Sequence, residues 1–140
     1  MVDFKRAINT TLLLVDDDIQ QLELRAIVLK MCGFSVITAA GPLEALSIIA
    51  QQPAYRADVA VVDYHMPVMN GCVLAAYLRS RYPDMKIILC SGTVEIPESE
   101  LSSVDALIPK SDGIGTLLAQ VAEFAQGSGT AHSAMLAREA

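Results

Sequence analysis

Carboxylate, hydroxyl and amine side chains follow the short apolar runs of this 140-residue sequence. Three aspartates come directly after the run TLLLV, of which the first two lie nearest to its end, and another aspartate ends the run DVAVVD. A serine ends the run MKIILCS, and a lysine follows DALIP. The five residues are Asp16, Asp17, Asp63, Ser91 and Lys110. They form one polar cluster if the runs are neighbouring strands that end at the same edge of a sheet.

Such a cluster has the chemistry to bind a divalent cation and to carry a phosphoryl group. Three converging carboxylates repel one another, and a bound divalent cation relieves that repulsion. A set of oxygen ligands suits Mg²⁺, which binds through one or two carboxylates and keeps several waters. An aspartate can also act as a nucleophile toward phosphorus. Lysine then supplies positive charge and serine a hydrogen bond to the phosphoryl oxygens.

The elements that must position these residues alternate between strands and helices. The predicted strands are residues 11–15, 34–39, 58–63, 85–91 and 105–109. Such alternation favours right-handed βαβ units and a parallel sheet. We predict an α/β, flavodoxin-like, doubly wound sheet of five strands in the order 2-1-3-4-5, with helices on both faces. Ligands of such sheets bind at the carboxyl ends of the strands, where the polar residues lie.

The same pattern divides the chain into a domain of residues 10–126, an extension of residues 1–9 and a tail of residues 127–140. Residues 18–31 contain no Gly or Pro and predict a helix capped by Asp17 or Asp18. The last helix has a predicted apolar face of Ile114, Leu117, Leu118, Val121 and Phe124. Because the tail begins with GSG, we predict that it is flexible.

Four segments in sequence order, LLLVDDD, VVDYHMPVMNG, IILCSG and LIPK, resemble the receiver domain of response regulators in two-component systems. The resemblance implies that Asp63 accepts a phosphoryl group with the help of Mg²⁺. It implies that Asp17 binds the metal directly, Asp16 mainly through water, and His65 through its backbone carbonyl. Ser91 matches the switch hydroxyl of the family and Lys110 its lysine.

The resemblance also implies partners and modulating positions. The phosphate donor is expected to be a phosphohistidine on a sensor histidine kinase or a histidine phosphotransfer protein. Because no effector domain is recognisable, we expect a stand-alone switch that signals through a protein partner. The side chain of His65 and that of Thr93, two residues after Ser91, are at positions that tune hydrolysis of the acyl phosphate.

Three features depart from the family pattern and concern the signal more than the phosphorylation chemistry. Leu107 replaces the usual aromatic residue three positions before the lysine, and Ser111 replaces the proline that usually follows it. Residues 92–104 are few and include Pro97, so we predict that the helix here is shortened, to about two turns, or irregular.

Composition narrows the function classes further. A formal net charge of −6 and the lack of a basic run argue against binding of nucleic acid. No apolar run reaches the roughly 18 residues of a membrane span, and no signal peptide is recognisable, so a cytoplasmic location is expected. Cys32, Cys72 and Cys90 are predicted to be free thiols. Buried packing is expected for Cys72, with a lowered pKa at a helix start as the alternative.

Two other functions remain open from the sequence. A receiver-like module that binds its partner without phosphorylation is suggested by the altered residues near the lysine. A phosphatase with an aspartate nucleophile is suggested by Asp16-x-Asp18 after an apolar strand, a pattern similar to that of haloacid-dehalogenase-type phosphatases. The second reading leaves the Met66-Pro67…Gly71 pattern unexplained, so we predict a signalling switch and not an enzyme.

Overall fold

A five-stranded parallel sheet forms the centre of the computed structural model, which describes residues 9–51, 56–92 and 95–139, with side chains as far as residue 126. The strands are β1 (Thr11–Val15), β2 (Ser35–Ala39), β3 (Val59–Asp63), β4 (Lys86–Ser91) and β5 (Ala106–Pro109). Their order in the sheet is β2-β1-β3-β4-β5. This confirms the predicted fold class, and β3, bordered by β1 and β4, lies at the middle of the sheet.

Helices cover both faces of the sheet. In the described residues, the α-helices are α1 (Ile19–Met31), α2 (Pro42–Ala50), α3 (Gly71–Arg81) and α4 (Gly113–Glu139). Two short 3-10 helices, Glu98–Leu101 and Lys110–Asp112, flank β5. The buried residues form one cluster that joins the sheet to α1 and α4 and a second that joins it to α2 and α3. The domain therefore has three layers.

Side-chain alternation along the strands explains why they are apolar throughout. Leu12 and Leu14 of β1 pack toward α1 and α4, whereas Leu13 and Val15 pack toward α2 and α3. Every residue of β3 is buried. Successive side chains of a strand point to opposite faces, so a strand covered on both faces needs apolar residues at every position.

The first two helices begin as their sequences predict. Asp18 is the N-cap of α1, and its carboxylate accepts a hydrogen bond from the amide of Gln21 at 3.2 Å. Pro42 lies at the start of α2, where its missing N–H has no intrahelical partner to lose. Both helices therefore start directly after the carboxyl ends of the strands that precede them.

The region after β4 is short and irregular, as its sequence predicts. Between residues 95 and 105 the structure has one four-residue 3-10 helix, which is shorter than two α-helical turns. On α4, Ala125 is buried against the sheet, whereas Ile114, predicted to be buried, is 38% exposed. The α4 backbone is helical to Glu139, and the flexibility predicted for the tail stays a prediction.

None of the described helices combines the length and the apolar character that a membrane crossing requires.

Candidate functional site

The candidate site is at the carboxyl ends of four adjacent strands. Asp16 directly follows β1, and Asp63 is the last residue of β3. The register pairs Asp63 with Cys90 and Ser91 with Pro109, which places the ends of β3, β4 and β5 side by side. Asp16, Asp63 and Ser91 are buried, and Asp17 is exposed. The structure therefore brings these predicted residues to one edge of the sheet.

Three carboxylates at this edge fit a metal ion. Each of Asp16, Asp17 and Asp63 contributes one carboxylate oxygen to a group whose members all lie within 4.8 Å of one another. Asp16 Oδ1 accepts a hydrogen bond from the Asp18 amide at 2.9 Å. Among the described residues, the buried Asp16 Oδ2 accepts no hydrogen bond. An all-oxygen set that includes a buried oxygen with free lone pairs suits Mg²⁺.

Lys110 brings a positive charge to the acceptor aspartate. Its Nζ atom lies 2.6 Å from Asp63 Oδ1, and the side chains of the two residues are 29% and 4% exposed. Lys110 begins a 3-10 turn that joins β5 to α4 at Gly113, whose φ of 79° is in the left-handed region. Glycine adopts this conformation without strain, so the chain can turn sharply here and leave the amine over the end of β3.

Burial shapes the acid–base properties of the site. Burial raises the pKa of Asp16, although the hydrogen bond from the Asp18 amide opposes the shift. Burial also raises the pKa of the Cys90 thiol to about 11. The pKa of Cys72 is likewise raised by burial, so the alternative of a lowered pKa at the start of α3 is wrong. In the described structure all three cysteines are free thiols.

The loop from β3 to α3 packs directly against the acceptor. A Cβ atom on Gly71 would lie 2.4 Å from the carbonyl oxygen of Asp63, so glycine is required for this contact. The Gly71 amide donates to the Tyr64 carbonyl at 2.9 Å. Asn70 caps α3 by accepting hydrogen bonds from the amides of Cys72 and Val73. These contacts hold the backbone of β3 in place beside the carboxylates.

The same loop makes a tight turn in the backbone. The Met69 amide donates to the Pro67 carbonyl at 2.9 Å, and Val68 between them has a φ of 76°. A β-branched residue is strained in that region, so the surrounding contacts must hold the turn in place. The sequence did not predict this strain.

The other predicted site residues have mixed outcomes. His65 is exposed, and it lines an open cleft together with Asp17, Met66, Pro67 and Asn70, which is compatible with a ligand role for its carbonyl. Leu107 is 39% exposed on β5. Thr93 lies outside the described residues. The individual roles assigned to these residues and to Ser91 stay predictions.

One site residue was missed by the sequence analysis. Arg25 on α1 extends toward the carboxylates, and its Nη1 atom lies 3.5 Å from Asp16 Oδ2. Its side chain is only 11% exposed. A signal was present, because Arg25 lies three residues after Leu22 and four before Leu29, both buried. A charged residue beside the apolar stripe of a helix needs a partner near the core.

Comparison with known proteins finds one family profile and several related sequences. The profile of the response regulator receiver domain matches residues 12–122. The chain is 33% identical over 121 residues to the sensor kinase CckA of Brucella abortus, covering 83% of this chain and 12% of that protein. It is 37% identical over 90 residues to the photosynthetic apparatus regulatory protein RegA of Cereibacter sphaeroides, covering 64% and 47%. The chain thus spans less than half the length of either relative.

Solved structures show the same architecture. The response regulator TrrA of Thermotoga maritima, in complex with Mg(2+)-BeF, superposes with a TM-score of 0.73 and 26% identity, covering 82% of this chain and 98% of that one. A CheY-like receiver domain protein of Methanospirillum hungatei superposes with a TM-score of 0.79 and 27% identity, covering 86% and 97%.

Proposed function

Because the chain belongs to the response regulator receiver domain family, we propose that it is a phosphorylation switch in which Asp63 accepts a phosphoryl group. The donor is a phosphohistidine on a sensor histidine kinase or a histidine phosphotransfer protein. The observation that carries this proposal is the junction of three carboxylates with an amine 2.6 Å from Asp63. Receiver domains are signalling switches and not conventional enzymes.

The transfer uses groups that the site already positions. A carboxylate oxygen of Asp63 attacks phosphorus, the new P–O bond forms, and the P–N bond to the donor imidazole breaks, so the imidazole nitrogen keeps the electron pair. Lys110 is placed to move from the carboxylate to a phosphoryl oxygen and to offset the charge that the transfer brings. Ser91, at the end of the neighbouring strand, is the candidate hydroxyl donor to the same group.

Asp16, Asp17, Asp63 and the backbone carbonyl of His65 are the candidate ligands for Mg²⁺. When bound, the ion supplies positive charge to the equatorial phosphoryl oxygens. Asp17 is exposed and free to bind the metal directly, whereas the buried Asp16 is held by the Asp18 amide and suits contact through water. The Mg(2+)-BeF complex of TrrA supports this assignment by likeness.

The signal leaves through protein partners, in a phosphorelay of the cytoplasm. The net charge of −6 supports protein rather than nucleic acid as the partner, because phosphate backbones bind clusters of Lys and Arg. Leu107 is exposed on β5, and a four-residue 3-10 helix, Glu98–Leu101, precedes that strand. These two features define the surface that we expect the partner to read.

Two alternatives have different predictions for the same site. The altered β5 region favours a module that binds its partner without phosphorylation, and such a module takes no label from a phosphodonor. A phosphatase with Asp16 as nucleophile needs Asp18 as its second acid. The Asp18 carboxylate already caps α1, which makes this alternative the weaker one.

The first prediction concerns Asp63→Asn in the presence of Mg²⁺ and acetyl phosphate. We expect the wild type to form an acyl phosphate that hydroxylamine removes, and we expect the variant to take up none, because the amide is a poor nucleophile. Intact mass spectrometry measures the label, and peptide mapping locates it.

Asp18→Asn is the matched control, because asparagine also caps a helix well and one nearby aspartate is again replaced. This variant should be labelled like the wild type. Label retained in Asp63→Asn contradicts the site assignment, and label on Asp16 supports the phosphatase. A wild type that takes up no label supports the phosphorylation-independent module.

A further inference from the structure

Arg25 is a second cation at the acidic site, in addition to Lys110. It comes from α1, on the face of the sheet that α1 and α4 cover, and its Nη1 atom lies 3.5 Å from Asp16 Oδ2. The Asp16 side chain is 2% exposed and that of Arg25 is 11% exposed. An ion pair with little access to water is screened less by salt than one at the surface, so the charge of Arg25 is felt at the carboxylates.

Arg25 lies beside Lys110 at a cavity on this face of the sheet. It lines a cavity of about 230 Å³ between α1 and α4, together with Cys90, Lys110 and the buried Leu117. Arg25 and Lys110 therefore approach the carboxylates from the same side of the sheet. Besides the effect of burial, Arg25 and Lys110 lower the pKa of the Cys90 thiol and Asp16 and Asp63 raise it, so all four charges act on the same buried group.

Arg25 acts on Asp16 through charge and leaves its oxygen open. The contact at 3.5 Å is an ion pair, and Asp16 Oδ2 accepts no hydrogen bond among the described residues. The lone pairs of this oxygen therefore stay available to a metal ion or to its water. At the same time, the guanidinium repels any cation that approaches the carboxylates and attracts any anion.

The charge balance shows why this matters. Three carboxylates face two cations, which leaves one net negative charge at the site. A divalent cation turns that into one net positive charge. A phosphoryl group on Asp63 replaces the carboxylate charge with about two negative charges, so the site with its metal becomes about neutral. The charge of Arg25 therefore weakens the binding of the metal alone. The same charge favours the binding of the anionic phosphoryl group.

We propose that Arg25, acting through Asp16, weakens Mg²⁺ binding to the unphosphorylated protein and strengthens retention of the phosphoryl group. This inference rests on the proposed function, since it concerns the metal and the anion of that same site. Arg25 is a positioning residue here, because it acts on bound groups through another side chain.

The test is calorimetric titration of Mg²⁺ into the wild type, Arg25→Met and Arg25→Lys at mildly alkaline pH. We expect Arg25→Met to bind Mg²⁺ about 3- to 10-fold more tightly, because a nearby positive charge is gone. Arg25→Lys keeps the charge and should stay near the wild type. With saturating Mg²⁺, Arg25→Met should bind beryllofluoride, an analogue of the phosphoryl group, roughly 3-fold more weakly.

Arg81→Met is the control for loss of one positive charge elsewhere. Arg81 ends α3 and lines a cleft with Asp58 and Met85, which precede β3 and β4, so it lies at the opposite edge of the sheet. It should leave both affinities unchanged. If Arg25→Met does not fold, Arg25→Gln tests the same loss of charge with a polar side chain.

The outcomes separate the inference from the proposed function. A wild type that does not bind Mg²⁺ contradicts the proposed metal site itself. A wild type that binds Mg²⁺, with neutral variants of equal or lower affinity, overturns the role of Arg25. So does Arg25→Lys binding as tightly as the neutral variants, because the charge is then not the cause. Opposite changes for Mg²⁺ and beryllofluoride support the inference, since general damage to the fold would weaken both.

Discussion

Buried charges dominate the chemistry of this protein at the scale of single residues. Asp16 and Asp63 are almost inaccessible to solvent, and Asp16 Oδ2 accepts no hydrogen bond from the described residues. An ionised carboxylate in such a place is costly unless cations lie near it. Arg25 and Lys110 supply those cations in the absence of a metal. A metal ion that binds to these carboxylates would therefore add to, or displace, the positive charge that Arg25 and Lys110 already supply.

Cys90 reports on this buried environment. Burial raises the pKa of its thiol to about 11, so little thiolate exists near neutral pH. Because the thiolate is the nucleophile, we predict that iodoacetamide at mildly alkaline pH alkylates Cys90 in the folded protein at least about 100-fold more slowly than in urea. Timed labelling and peptide mapping measure both rates.

Cys32 is the internal control, because it is partly exposed and should be labelled in the folded protein. Equal labelling of Cys90 in the folded and unfolded protein would contradict the prediction. The raised pKa of Cys90 also makes the stability of the folded protein depend on pH. The contribution of the neutral thiol is present at neutral pH and is lost only as the pH rises through about 11.

The residue types alone predicted part of the site. Asp16, Asp63 and Lys110 could be placed because each follows a strand of a parallel sheet, and strand ends meet at one edge. Arg25 could not be placed in this way, because it lies in the middle of a helix. Its contact depends on how α1 packs and on the path of a long side chain, neither of which helical periodicity fixes.

At the scale of elements, the segment between β4 and β5 is short but is held at both ends. Ile96, near its start, packs with Cys72 and Leu89 in a separate apolar cluster. Near its end, Arg79 of α3 donates hydrogen bonds to the carbonyl of Ser103 and to the carboxylate of Asp105. Such contacts can fix a segment that has little helix of its own.

Arg79 is the main polar link in this region. It also donates to the carbonyls of Pro83 and Met85, at 2.9 and 2.6 Å, and so joins α3 to the chain that enters β4. We predict that Arg79→Met lowers the free energy of unfolding by about 2–3 kcal/mol, because several carbonyls and one carboxylate lose a charged donor. Urea denaturation with an unchanged m-value measures this loss.

Arg81, two residues later and exposed, provides the comparison. Its replacement by methionine should change the free energy of unfolding by no more than about 0.5 kcal/mol. Similar losses in the two variants would show that the contacts of Arg79 are not the cause. Beryllofluoride binding should persist in Arg79→Met, because the contacts of Arg79 are with residues that precede β4 and β5, at the edge of the sheet opposite to the site.

The strands could be predicted with their bounds, whereas the segment before β5 could be predicted only in outline. Each predicted strand begins within one residue of the observed one, because burial on both faces forces a continuous apolar run. The segment before β5 was predicted to be shortened or irregular, and it forms a four-residue 3-10 helix. Its contacts come from Arg79 and from a small apolar cluster, which are tertiary contacts that local sequence does not encode.

For the whole molecule, the site and the sheet form one unit. The carboxylates follow β1 and β3, the hydroxyl ends β4, and the lysine follows β5, so their positions depend on the pairing of the whole sheet. The repulsion between the carboxylates therefore lowers the stability of the whole domain. Any ligand that relieves this repulsion should stabilise the domain globally.

The last prediction concerns how pH and Mg²⁺ together set the stability of the domain. Burial raises the pKa of Asp16 above the ordinary value that the unfolded chain has. Protonation of Asp16 therefore favours the folded state. Its contribution is present below the unfolded pKa and is lost as the pH rises through the raised folded pKa. In the absence of metal, the ionised Asp16 should thus make the protein less stable at neutral pH.

Mg²⁺ binds the deprotonated carboxylates, so its effect should have the opposite dependence on pH. At about ten times Kd, Mg²⁺ contributes about 1.4 kcal/mol, or roughly 5 °C in Tm, and this gain should shrink as the pH falls through the raised pKa of Asp16. Thermal unfolding across that pH range, with NaCl matched in ionic strength as the control, measures it. A Mg²⁺-induced rise in Tm that is constant with pH, or largest in acid, would show that Asp16 does not need to ionise for the metal to bind.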